Sequence, residues 1–330
     1  MDVIEDVMVM GSEEPLRRVE RDERLLLAPA HPGKGGKKYW REHPELAVVH
    51  FPQEYQAQPF APPRAVYEND QVRLEWQIMD GRQPFYHRNC DVDEISYQID
   101  GERTLMTELG VIEHRPGEFS RIPRGVAHDN YGRKESHLLF YIPAPVTETA
   151  VSIRNSEEVS PPYPGWELAP ANEAVTQCMA AIGHDITVFP ADEQRLLNHV
   201  RSTSERIGVF RGDSAVGTNW LYLAEHFRLG VTVSEGNRVR HYRRTVDADE
   251  IQYQARGFRT LFTQRGIVNL GPGDFVRIPL GIAHASASAG PSEHIVLQSH
   301  LELPQIAETT RTADIYSIER LEAADKEVDR

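Results

Sequence analysis

Residues 93–128 read DEISYQIDGERTLMTELGVIEHRPGEFSRIPRGVAH, and residues 249–284 read DEIQYQARGFRTLFTQRGIVNLGPGDFVRIPLGIAH. They align without a gap at an offset of 156 and agree at 20 of 36 positions, where unrelated stretches would share about two. That offset is far longer than the roughly 20–50-residue period of solenoids and propellers, so it marks a domain that occurs twice. Inside each copy the apolar runs are short and strand-like, as in EISYQI, RTLMTEL and EFSRIP, or EIQYQ, RTLFTQ and DFVRIP. Gly, Pro and Asp turns such as Arg115-Pro116-Gly117 and Gly271-Pro272-Gly273 separate them. Regular short strands with such turns predict an all-β chain of two tandem barrels.

Working outward, residues 1–60 carry little periodicity and include Gly33-Lys34-Gly35-Gly36-Lys37-Lys38, so they read as an N-terminal arm. Residues 61–148 form the first expected barrel, 149–185 a Pro-, Ser- and Glu-rich linker, 186–305 the second barrel and 306–330 a helical tail. The tail's expected apolar stripe is Ile315, Ile318 and Leu321. Fifty acidic against thirty-six basic residues give a net charge of -14, which repels phosphate backbones and argues against nucleic acid as a partner. No apolar stretch approaches the roughly 18 residues of a membrane span, and no secretory signal opens the chain, so a cytoplasmic protein without a membrane partner is expected. Two cysteines cannot build a disulfide framework. Open barrel edges and the arm invite self-assembly, so a homo-oligomer is expected.

Metal-ligating residue types gather around the first repeat. Phe85-Tyr86-His87-Arg88-Asn89-Cys90-Asp91-Val92-Asp93-Glu94 places His87, Asn89 and Glu94 in the order H-x-N-x4-E, with Gly101 after six more residues. Gly117-x5-Pro123-x-Gly125-x2-His128 follows. Two histidines and a carboxylate make the ligand set of a facial triad, which leaves positions on non-haem Fe(II) open for substrate and O₂. Alternate residues of a strand share a face, so His87 and Asn89 point one way, and Glu94 and His128 must arrive from neighbouring strands.

This pattern resembles the paired motifs of the cupin superfamily, and the chain looks like a bicupin, two jelly-roll or double-stranded β-helix barrels. Asn89 stands where most metal cupins have a second histidine, and the first motif's opening glycine is displaced to Gly81. The His87-Arg88-Asn89-Cys90 run is similar to the iron-binding segment of homogentisate 1,2-dioxygenases, and H-x-N recurs in hydroquinone dioxygenases. The resemblance implies Fe(II) held by His87, Glu94 and His128, with Asn89 a weak ligand or a supporting group. In those families the carboxylate lies six residues after the histidine, which here selects Asp93. Both Asp93 and Glu94 recur in the second copy, as Asp249 and Glu250, and Glu94 is preferred because it keeps the x6-Gly spacing.

The second copy is an internal control. At the same offset His87 becomes Arg243 and Asn89 becomes Thr245, while Glu94 and His128 become Glu250 and His284. Arg243 is expected to pair with Glu250 and to leave that barrel without metal, with His241 packing nearby. Strand parity puts Ser96 and Gln98 on the face of Glu94, Asn130 on that of His128 and Phe85 on that of His87, which together with Arg124, replaced by Leu280 in the second copy, makes the expected pocket. Arg121 recurs as Arg277, and Tyr86 and Tyr97 as Tyr242 and Tyr253, which favours structural roles. Cys90 reads as a small buried hydrophobe, and His50, His114 and His137 as ordinary histidines with no spacing that ties them to the site.

The expected activity is Fe(II)-dependent cleavage of a dihydroxylated aromatic ring of homogentisate, hydroquinone or gentisate type, with the small aromatic substrate and O₂ as partners. The alternatives are another oxygen-dependent bicupin, such as a flavonol-type dioxygenase, and a non-catalytic bicupin that binds a small ligand.

Overall fold

The strand Asp93–Thr107 shows in one element why the chain folds as it does. Glu94, Ser96 and Gln98 lie on one face and Ile95, Tyr97 and Ile99 on the other, yet all six are buried. In a computed structural model, which describes residues 2–29, 44–58, 62–83, 85–158, 171–179, 185–236 and 240–328, both faces have something to pack against. The polar face lines the inside of the first barrel. The apolar face joins a large cluster that runs between the two barrels and includes Trp76, Phe119, Phe140, Tyr222, Phe227, Tyr253 and Phe275.

Equivalent residues of the two copies meet in that cluster. The Tyr97 and Tyr253 rings, 156 residues apart, lie 6.4 Å from each other, and each leans on its own copy's phenylalanine, Phe119 at 4.6 Å and Phe275 at 4.5 Å. The barrels are therefore related by an approximate two-fold axis. Phe119 is fully buried at this seam and also faces Tyr222 at 6.4 Å. Phe119→Ala is expected to lower unfolding stability by about 3–5 kcal/mol, read as a shifted midpoint in urea at unchanged slope.

The Gly after x6 in each repeat has a definite task. Gly101 and Gly257 sit at φ values of 70° and 69°, and a Cβ on them would lie 2.4 Å from the Lys134 carbonyl oxygen and 2.3 Å from that of Pro291. Only glycine lets the chain bend there against its neighbouring strand. In the first barrel the long strands Asp93–Thr107 and Ala127–Ile142 pass through this bend and stay paired, joining the described strands into one eleven-stranded sheet. In the second barrel the pairing breaks, and the described strands divide into a six- and an eight-stranded sheet.

Strand pairing crosses the divisions read from the sequence. The arm carries regular elements: strand Asp2–Met8 pairs in parallel with His241–Thr245, and Ala47–His50 pairs with Asp274–Ile278, so the described part of residues 1–60 completes the second barrel. Reciprocally, Ala171–Thr176 pairs in parallel with Phe85–Asn89, and Gly208–Arg211 pairs with Glu118–Ile122, so parts of the expected linker and second barrel complete the first. Matching ion pairs fasten the two exchanges: Arg88 Nε donates to Glu173 at 2.6 Å and Arg244 Nε to Glu5 at 2.5 Å. Each exchanged segment then enters a helix, Glu23–Leu27 capped by Asp22 or Glu193–Ser202 capped by Asp192. The first residue of each is a buried glutamate that accepts from a barrel tyrosine, Tyr242 at 2.8 Å or Tyr86 at 3.0 Å. The Gly33–Lys38 run and most of the expected linker lie outside the described residues.

The tail forms a helix, Ile318–Val328. Its buried stripe is Leu321 with Ala324, packed on Val3, Leu26, Leu27 and Phe262, whereas Ile315 and Ile318 are exposed, which corrects the expected stripe. No helix among the described residues is long and apolar enough to cross a membrane.

Candidate metal and ligand site in the first barrel

His87 on strand Phe85–Asn89 lies directly opposite His128 on strand Ala127–Ile142, and His128 opposes Thr107, so the three share the inward face. The histidine ring centres are 6.0 Å apart, and Phe85 stands edge-on to His87 at 4.6 Å. Glu94, 4% exposed, points in from the adjacent strand, with one carboxylate oxygen 3.4 Å from His128 Nε2 and 2.8 Å from the donating Asn89 Nδ2. Burial alone would raise the Glu94 pKa, but the charge and hydrogen bond of His128, then the Asn89 amide and His87, outweigh it and bring it to about 2. Glu94 is therefore an anion across the physiological range.

His128 Nδ1 donates to the Val126 carbonyl oxygen at 3.2 Å, which fixes the ring with Nε2 toward Glu94. Burial lowers the His128 pKa, but the Glu94 charge and hydrogen bond raise it by more, so without a metal Nε2 carries the proton that Glu94 accepts. A cation would take that proton's place. An ionised carboxylate and an imidazole so fixed are the donor chemistry that a divalent cation takes. His87 shares their face, with Gln83 Nε2 3.0 Å from its Nδ1, and the orientation of that amide decides which ring nitrogen carries the proton. Among the described residues no group of three His, Cys, Asp or Glu side chains, as placed, closes around one point.

Asp93 is held elsewhere. Its carboxylate accepts from the backbone N–H groups of Arg124 at 2.9 Å and Val146 at 3.2 Å and from Arg121 at 3.1 Å. Asp249 repeats all three bonds with Leu280, Leu303 and Arg277 in the second barrel. This shared brace explains why Asp93 and Arg121 recur, and Glu94 is the carboxylate that faces the histidines. Arg124 also departs from the expected pocket: its side chain is exposed and donates to the Pro143 carbonyl. Cys90 is exposed rather than buried, and it is Cys178, on the exchanged segment, that reaches the site and donates to Asn89 Oδ1 at 3.3 Å.

Sequence reading missed the centre of the first barrel's interior. Arg103 opposes Gly132 on the inward face and is 1% exposed. Its guanidinium is 3.4 Å from His114 Nδ1, and its Nε has no hydrogen-bond partner among the described residues. Burial pulls its pKa down, with Glu135 and Glu94 the nearest opposing charges. Gln98 donates to Glu135 at 2.9 Å and Ser96 bonds Ser120 at 3.3 Å, while His114 Nε2 meets Ser120 at 2.8 Å and His137 Nδ1 meets Glu135 at 2.9 Å. Burial holds both imidazoles below their ordinary range, with the Arg103 charge adding to it. Gln98 Oε1 and Asn130 Oδ1 join Arg103 Nε as buried polar atoms without a protein partner.

The second barrel shows the same scaffold with the residues equivalent to Arg103 and Glu94 more fully paired. Arg259, equivalent to Arg103, donates to Gln254, Gln252 and Ser286 at 2.5–2.7 Å. Glu250 accepts from Arg243 at 2.8 Å and from Gln252 and Gln298 at 2.6 Å each.

No known family model and no curated protein matches the chain. Solved structures do. A cupin 2 conserved barrel domain protein from Leptotrichia buccalis aligns at 9% identity and a TM-score of 0.46 over 74% of this chain and 91% of its own. A point mutant of Bacillus subtilis oxalate decarboxylase aligns at 10% and 0.45 over 81% and 80%, and protein Ylba from E. coli at 10% and 0.44 over 82% and 97%. Likeness at this level carries no chemistry from those proteins to this chain.

Proposed function

We propose that the first barrel is a metal-dependent oxygenase site in which His87, Glu94 and His128 hold Fe(II), and that it opens a small dihydroxylated aromatic ring. The observation that supports it is the contrast between two equivalent buried carboxylates. Glu250 has a guanidinium in contact, whereas Glu94 has only imidazoles and an amide, a set that a divalent cation completes. When bound, the metal supplies Lewis acidity toward a substrate hydroxyl and a route for electrons to O₂.

The chain's own residues then bind and orient. Arg103 Nε would donate, and Gln98 Oε1 and Asn130 Oδ1 would accept, being buried and without a partner among the described residues, so they suit a molecule edged with hydroxyl or carboxylate groups. Leu105 and Ile122, in the apolar cluster beside them, keep water from its ring. Asn89, braced by Cys178, holds Glu94 in place.

The test is anaerobic reconstitution with Fe(II) followed by oxygen uptake over hydroquinone, homogentisate and gentisate. Uptake with one of them, lost in His128→Ala, supports the proposal. A second reading, a non-catalytic ligand-binding barrel, is favoured by the internal hydrogen bonds of Glu94 with Asn89 and His128. Flat oxygen traces together with no retained metal decide for it.

A further inference from the structure

A cavity of about 420 Å³, apart from the site above, lies against the second barrel. Arg228 and Arg243 both line it, with Trp220, Leu223, Thr245 and Met8, the last brought in by the exchanged N-terminal strand. Arg228 is 7% exposed and lies over the Trp220 ring at 3.8 Å. Its Nε donates to Gln298 at 2.7 Å, and no carboxylate among the described residues forms an ion pair with it. Arg243 spends one nitrogen on Glu250. Thr245 Oγ1 is buried in the wall with no partner.

No acid among the described residues touches Arg228. Glu250 contacts Arg243 and acts on Arg228 only through space, Asp247 acts on it more weakly, and the exposed Glu13 also lines the cavity. Burial and the neighbouring Arg243 bring the Arg228 pKa down to about 10, so it stays protonated at neutral pH. A buried guanidinium without a carboxylate is costly unless something anionic completes it. The first barrel has no such feature: strand register places Val72 and Ile142 where the second has Arg228 and Gln298, so the shared scaffold does not require a cation there.

We propose that the second barrel binds a small organic carboxylate with an apolar body. The carboxylate sits between the Arg228 and Arg243 guanidiniums and accepts from Thr245, and the body lies against Trp220, Leu223 and Met8. Planar guanidiniums match the two oxygens of a carboxylate. One guanidinium without a contacting carboxylate, with Glu250 and Asp247 near, suits a monoanion better than a phosphate dianion, and the apolar wall calls for a hydrocarbon part. The volume falls in the range of about 300–1,000 Å³ usual for small-molecule sites.

Benzoate, benzyl alcohol and inorganic phosphate serve as probes for the full-length protein by calorimetry and tryptophan emission. Benzoate is expected to saturate a second-barrel site, told from any binding in the first barrel by its response to Arg228→Gln, with benzyl alcohol and phosphate each weaker there by about tenfold or more. Arg228→Gln is expected to weaken benzoate by about 10- to 100-fold, and Glu94→Gln in the other barrel to leave it unchanged. Met8→Glu, which sets a fixed negative charge in the wall without touching the buried arginine, gives the same loss if Arg228→Gln impairs folding. No saturation by benzoate, equal affinity for phosphate, or binding that survives both second-barrel variants and disappears in Glu94→Gln overturns the proposal.

Discussion

Glu94→Gln is expected to abolish the metal binding proposed for the first barrel and to leave the fold intact. The substitution keeps the volume and the acceptor for Asn89 Nδ2 but removes the anion in contact with His128. Loss of even a supporting group commonly lowers metal affinity 10–100-fold, so loss of the charged ligand is expected to exceed about 100-fold. Purified protein then falls from about one ion per chain to background by elemental analysis, and oxygen uptake falls with it. The melting temperature without added metal falls modestly at neutral pH, because the contacts that hold the Glu94 pKa at about 2 outweigh its burial cost and are lost with the charge, while the apolar packing is untouched. The control is Asp93→Asn. Asp93 braces Arg121 and two backbone N–H groups, so its loss lowers the melting temperature while metal stays bound. The reverse pattern, metal kept in Glu94→Gln and lost in Asp93→Asn, moves the carboxylate ligand to Asp93 and sinks the assignment.

What the sequence made legible was local and periodic. The gapless repeat carried two β-barrels, and strand alternation carried the inward face of Glu94, Ser96 and Gln98. The exchange of N-terminal segments was hidden because pairing between residues 2–8 and 241–245 leaves no trace in either stretch alone. A trace does exist at another spacing. Asp22-Glu23-x-x-Leu26-Leu27 recurs as Asp192-Glu193-x-x-Leu196-Leu197 at an offset of 170, and the 14-residue difference from 156 removes it from a gapless comparison. Arg103 was missed for a different reason. It recurs as Arg259, and recurrence reads as structure, yet Arg259 has three protein partners while Arg103 Nε has none. The same residue is fully paired in one barrel and only partly paired in the other because its neighbours changed: Ser96 stands where Gln252 does, and Gln98 has turned to Glu135. Only the partners, which lie on other strands, distinguish the two.

Arg243→Ala is expected to destabilise the second barrel by about 3 kcal/mol at pH 7, near the lower end of what breaking a buried pair costs, because the guanidinium is partly open to solvent. Glu250 is 1% exposed; burial pushes its pKa up, but Arg243 first and His284 next hold it well below the ordinary carboxylate range. A carboxylate whose folded pKa is depressed contributes stability above its unfolded value, about 4.5, and loses it as pH falls toward the folded value. Without Arg243 that contribution is gone, and the buried charge resists ionisation. The deficit in urea unfolding is therefore largest at neutral pH and shrinks as the solution is acidified toward about pH 4, where the variant's Glu250 takes up a proton at less cost. Arg243→Ala with Glu250→Gln recovers most of the loss, since no charge is left to bury. A deficit independent of pH, or undiminished in the double variant, would mean that Arg243 acts through packing alone, and the contrast drawn between the two carboxylates would lose its physical basis.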